Sequence, residues 1–252
     1  MKIELSLYFY RHKPLWVLLI LIILGCALQY LILDGTIDSV KEAIEVSSET
    51  LIYQNFTMDT VFFLALIYYI YCAASSIITD RRNGVLMYSF VKNISTLNIM
   101  SKKLGSAYIF ILIGNTVLIA AITLVSYMLY GMDAQLAANA LILLLAKTYT
   151  ALFYATLAIM FALLFNNYVL VLSIMFIMEL AKVGSYSLMK DWPIYDFIIL
   201  SHLDISYHFD LPSTGVDRGF PLAFTLLIYV MYAAALIALS LYIFNKKRGS
   251  LL

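Results

Sequence analysis

Charge is scarce in this chain. Of its 252 residues only 12% are Asp, Glu, Lys or Arg, while 63% are hydrophobic. A soluble globular domain carries about 25% charged residues, so lipid rather than water is the solvent this composition implies. Proline is almost absent from the apolar stretches. All four, Pro14, Pro193, Pro212 and Pro221, fall at or outside their ends, which leaves the helix interiors unbroken. The two cysteines, Cys26 and Cys72, both lie inside apolar runs and imply neither a disulfide framework nor a metal spacing. A net charge of +1 with no basic helix gives no footing for nucleic acid. Also missing are a G-x-x-x-x-G-K-[ST] phosphate loop, an H-E-x-x-H pair and a G-x-S-x-G elbow, so the chain carries no motif for ATP hydrolysis, metalloprotease or lipase chemistry.

Long apolar runs fill the space instead. A spanning helix needs roughly 20 apolar residues, and six stretches qualify, at about 15–33, 61–79, 107–130, 138–165, 168–187 and 220–244. The expected fold is an all-α integral membrane protein forming one domain over residues 1–252, with six transmembrane helices. Most of the 16 Lys and Arg residues, among them Lys2, Arg11, Arg81, Arg82, Lys102, Lys103 and Lys246, then fall on one side of the membrane. The positive-inside rule places that side, and both termini, in the cytoplasm. Ile23-Leu24-Gly25-Cys26 resembles a lipoprotein cleavage site. The apolar run continues past Cys26 to Leu33, as a retained helix should.

Three soluble stretches stand out. In the first outer loop, Ile37, Val40, Ile44 and Leu51 make a helical stripe opposite Asp38, Glu42, Glu45 and Glu49, as in a short surface helix. The last outer loop, 182–219, holds the apolar run Ile194 to Leu200 and is expected to fold back into the outer leaflet, as a gate or as a cover on the helix ends. Its His202, Asp204, His208 and Asp210 form an H-x-D-x3-H-x-D cluster of metal-ligating types, to which no metal is assigned. The inner loop Asp80 to Lys103 offers an apolar surface, Val85, Met87, Tyr88, Phe90 and Val91, too small to be a core alone. Such a surface expects a partner.

That inner loop resembles the one in type-2 ABC transporter permeases: an acidic residue, a glycine, an apolar run, a turn and a lysine before the third span. Asp80, Gly84, Leu86 to Phe90, Asn93 to Ser95, and Lys102 or Lys103 occupy the pattern. Six spans, an amphipathic start over Met1 to Lys13 and a partly re-entrant segment before the last span extend the likeness over nearly the whole chain. It departs from the family in having Asp80 where glutamate is usual, and Asn93 or Ile94 where a proline is usual. The resemblance implies a cytoplasmic coupling helix around Asn83 to Val91, with Asp80, Arg81, Arg82, Gly84, Met87, Tyr88 and Phe90 at the contact with a separate ABC ATPase. It also implies two copies each of permease and ATPase in a bacterial plasma membrane. This chain would hold no cofactor, since ATP and Mg would be bound by the ATPase. Compact permeases of this kind, without large outer domains, also resemble those of bacterial toxin-peptide exporters, such as the phenol-soluble modulin exporters, and of lantibiotic immunity systems, which implies amphipathic peptide as the cargo. Drug or lantibiotic efflux is the alternative cargo within the class, and a non-transporting scaffold or sensor or an ion-driven carrier the alternatives outside it.

Lys147 and Glu179 are the only ionisable residues deep within the spans, and a lone charge at a helix centre costs roughly 2.5–3.5 kcal/mol, so they are expected to find partners. Both fall near mid-membrane depth, and a pair between them is expected, as a bridge fixing the fourth and fifth spans or as a substrate or gating contact. Tyr68, Tyr71 and Ser75 share one face of the second span and would suit amphipathic cargo in the conduit, or ordinary packing. Ala234 and Ala238 read as a small-residue packing seam in the last span.

Overall fold

The structure, a computed structural model, describes residues 14–33, 36, 48–92, 94–189, 192–209 and 220–251. The expected amphipathic start, most of the first outer loop's surface helix, and Asp210 lie outside the described residues. The described chain contains helices and no strands. We number the helices α1 (Pro14–Leu33), α2 (Glu49–Arg82), α3 (Val85–Val91), α4 (Thr96–Tyr130), α5 (Leu136–Phe165), α6 (Tyr168–Met189) and α7 (Leu222–Leu251). Three 3-10 turns, Pro193–Phe197, Ile199–His202 and Ser206–Phe209, connect α6 to α7. Among the described residues five helices, α1, α2, α4, α5 and α7, are long and apolar enough to cross a membrane. The sixth, α6, is helical over 22 residues, with side chains described as far as Lys182.

Helix α2 begins well before the apolar run that announces it. Ser48 caps its start by accepting from the Leu51 amide at 3.4 Å, Glu49 sits in the first turn, and Arg81 and Arg82 in the last. Each charge opposes the helix dipole. Gly84 at φ +71° turns the chain from α2 into α3, as its place in the sequence predicts. The α5–α6 turn uses Asn166 at φ 36°, a left-handed position that Asn tolerates better than most side chains.

The core lies where α2 and α5 meet, with α4 against both. Ala65, Ala73 and Ala74 of α2 and Ala151, Ala155, Ala158 and Ala162 of α5 are all fully buried. Small residues let these backbones approach closely, and dispersion between them replaces the hydrophobic drive that lipid cannot supply. The seam read from Ala234 and Ala238 is not formed within the chain: both are exposed, and α7 is the least buried of the five long helices. Two glycines set tight crossings. A Cβ on Gly25 of α1 would overlap Cγ2 of Val61, and one on Gly114 of α4 would overlap the Tyr69 hydroxyl. Val61 is stiff at χ1 and Tyr69 is only 1% exposed, so neither yields easily. Gly25→Ala and Gly114→Ala are each expected to cost about 1–3 kcal/mol. Thermal unfolding in detergent checks this, and an unchanged midpoint refutes it.

Candidate functional site

At the end of the bundle that carries Arg81 and Arg82, Asp80 turns inward. It is 5% exposed and forms an ion pair and hydrogen bond with Lys103, 4% exposed, on the first turns of α4. Of the two lysines the sequence leaves open, Lys103 takes the carboxylate. Helix α3 lies over this pair, anchored by buried Leu86. A cavity of about 80 Å³ remains beneath it, lined among others by Leu86, Ser89, Ile99, Lys102 and both members of the pair. Facing out are Val85 and Tyr88, the latter 59% exposed with the Lys92 ammonium 4.7 Å from its ring centroid. Arg82 is exposed with its guanidinium 5.6 Å from the Tyr168 ring, and Arg81 is half-buried. Among the described side chains, Arg82, Asn83, Val85, Tyr88 and Lys92 are exposed here, while Asp80 lies beneath them paired with Lys103. The side chains of Met87 and Phe90 lie outside the described residues.

Deeper in the bundle, Lys147 and Glu179 do not pair with each other. Lys147 Nζ lies 2.5 Å from Asp59 Oδ1, and Lys182 Nζ lies 2.5 Å from Glu179 Oε1, one turn along α6. The reason is helix length. Because α2 is helical from Glu49, it carries Asp59 across from Lys147, and because α6 runs past Glu179, Lys182 folds back onto it. Boundaries drawn from hydropathy alone place Asp59 in a loop, and Lys182 where the fifth span and the last outer loop overlap. The Lys147 ammonium also lies 5.4 Å from the Phe62 ring centroid and feels the charge of Asp204 from the 3-10 segment. Glu179 has Tyr154 beside it, and both Tyr154 Oη and Glu179 Oε2 are buried but short of full hydrogen-bond geometry.

Other polar side chains bind elements together. Gln54 of α2 donates to Thr123 of α4 and accepts from Asn139 of α5, each at 2.7 Å. Tyr69 donates to Asn115, which donates to Thr148. The 3-10 segment packs back onto the bundle, burying Tyr195, Ile199, Leu203 and Ile205. Hydroxyls of α5 hold its backbone: Tyr149 donates to the His202 carbonyl at 3.0 Å and Thr150 to the Leu203 carbonyl at 2.6 Å. His202 is fully buried, with Nε2 donating to the Asp196 carbonyl and Nδ1 at 3.2 Å from Thr225 Oγ1. Both ring nitrogens are thus engaged by protein. Among the described residues no His, Cys, Asp and Glu side chains gather as a metal site.

The face read on the second span is divided. Tyr68 packs on Phe110 of α4 at 6.1 Å, Tyr71 meets Tyr168 of α6 edge-on at 5.9 Å, and Ser75 is buried. Asp59 and Lys182 are the partners that sequence reasoning misses. The unbroken helical pattern from Glu49 into the second span is the signal that points to Asp59. Compared with protein-family models, curated proteins and solved structures, the chain gives no match, so its geometry carries the functional reading.

Proposed function

We propose that the chain is the membrane-spanning subunit of an ATP-binding cassette exporter, with α1, α2, α4, α5, α6 and α7 as six spans and α3 as the coupling helix. The observation that carries this reading is α3 itself. It is a seven-residue helix set off by turns beyond the end of a 34-residue helix, seated by Leu86 over the Asp80–Lys103 pair, with Tyr88, Val85 and basic neighbours turned outward. A small aromatic-centred surface on a buried ionic footing is suited to receive force from a docked partner and pass it into α2 and α4. The partner is a separate ATPase, which binds ATP and Mg. Two copies of each chain work together in a bacterial plasma membrane, with both termini in the cytoplasm. Amphipathic peptide is the favoured cargo, since the long helices expose apolar faces interrupted by tyrosines. Drug or lantibiotic efflux is the alternative.

Solubilising the tagged chain in mild detergent is expected to bring down an ATP-binding protein in roughly equal amount. Tyr88→Ala with Lys92→Ala is expected to lose that protein while leaving the thermal midpoint nearly unchanged, since exposed positions usually move stability by no more than about 0.5 kcal/mol. Absence of any such protein from the wild-type pulldown rejects the reading.

A further inference from the structure

Between α2 and α6 runs a groove of about 250 Å³ that the helix packing leaves open. Phe63, Ile67 and Ile70 line it from α2, Leu172 and Phe176 from α6, and among the described residues Glu179 is the one ionisable group in its lining. Phe63 and Phe176 approach to 6.2 Å between ring centroids one turn or less from Glu179 along α6. An apolar slot with a carboxylate and two aromatic rings complements an apolar body ending in a cation, and repels an anion. The site also shows what a cation there looks like. The Lys182 ammonium sits 2.5 Å from Glu179 Oε1, reaching back from the next turn of the same helix.

We propose that this groove binds a primary-ammonium amphiphile, its apolar body along α2 and α6 and its ammonium replacing Lys182 on Glu179. Lys182 is then a resident counter-ion. It neutralises Glu179 while the groove is empty and yields when a ligand brings both a charge and apolar surface, which Lys182 alone does not supply. The inference deepens the export reading by naming a ligand class, and rests on that reading only for where the ligand travels next.

Equilibrium binding of radiolabelled dodecylammonium to the purified full chain in nonionic detergent tests it, with dodecanol as the uncharged competitor of equal length. Dodecylammonium is expected to bind saturably and dodecanol to compete at least about tenfold more weakly, the scale of one charge-assisted contact. Glu179→Gln should weaken dodecylammonium binding about tenfold. Lys182→Gln should strengthen it, because the internal competitor is gone. Ser173→Trp, on the exposed lining of the groove, should abolish it while leaving the carboxylate in place. Three results overturn the proposal: equal competition by dodecanol, which makes the groove a plain acyl slot; weaker binding in Lys182→Gln; or quantitative disulfide cross-linking between two copies carrying cysteines at Ile67 and Phe176, which makes a second copy the occupant. Co-purification of an ATPase is a separate readout, so either inference can fail while the other stands.

Discussion

Lys103→Met is expected to destabilise the protein by about 3–5 kcal/mol, the cost of leaving a buried carboxylate without its cation. The side chains of Lys103 and Asp80 are only 5% and 7% exposed, so little water reaches the charge left behind. The damage should concentrate at α3, because the pair forms part of the floor on which α3 rests. Amide hydrogen exchange over residues 85–91 should therefore accelerate more than exchange in α5. The double variant Asp80→Asn, Lys103→Met should recover much of the loss, since apolar or neutral replacement of a whole buried pair is often nearly neutral. If the single variant unfolds at the wild-type midpoint, or the double variant is no better than the single one, the pair does not support α3.

A second large effect is expected at the opposite half of the bundle. Lys147→Met removes the cation from Asp59 and from the neighbourhood of Asp204 at once. The expected loss is about 3 kcal/mol, at the lower end for a buried pair because the Asp59 side chain is 31% exposed. Here the rescue should be partial. Adding Asp59→Asn restores balance at α2 but leaves the Asp204 carboxylate near an apolar side chain where the ammonium stood, so some of the loss persists. Full rescue would show that Asp204 does not draw on Lys147. Chemical denaturation of all three variants in one detergent decides between these outcomes, with the coupling read from the double-mutant cycle.

The long helices are legible because the apolar runs are unambiguous, and the α2–α3 turn because Gly84 follows the basic end of a run. Asp80 and a lysine before the third apolar run stand out from the order of residue types, and the structure adds that they meet. The partners of Lys147 and Glu179 are not legible. Hydropathy marks where lipid-compatible residues stop, not where the backbone stops being helical, and capping by Ser48 carries α2 a dozen residues beyond that limit. Asp59 therefore looks like a loop residue, and Lys182 like one at a span's edge, while both lie on helices within reach of the buried charges. The 3-10 segment shows a different loss of information. Its apolar run gives away that it is buried, but Tyr149 and Thr150 reach its main-chain carbonyls, and backbone acceptors leave no pattern in side-chain order.

The uninterrupted length of α2 has a mechanical consequence. Its 34 residues contain neither Pro nor Gly and make a rod about 51 Å long, well beyond a hydrocarbon layer of about 30 Å. Lacking the two residues that most often break a helix, it would move largely as one body about the stretch that α5 grips. A tilt of about 5° about its middle would carry each end through about 2 Å, in opposite directions. A push at α3 would thus reach the far end of the helix reversed in direction and undiminished, through rigidity alone.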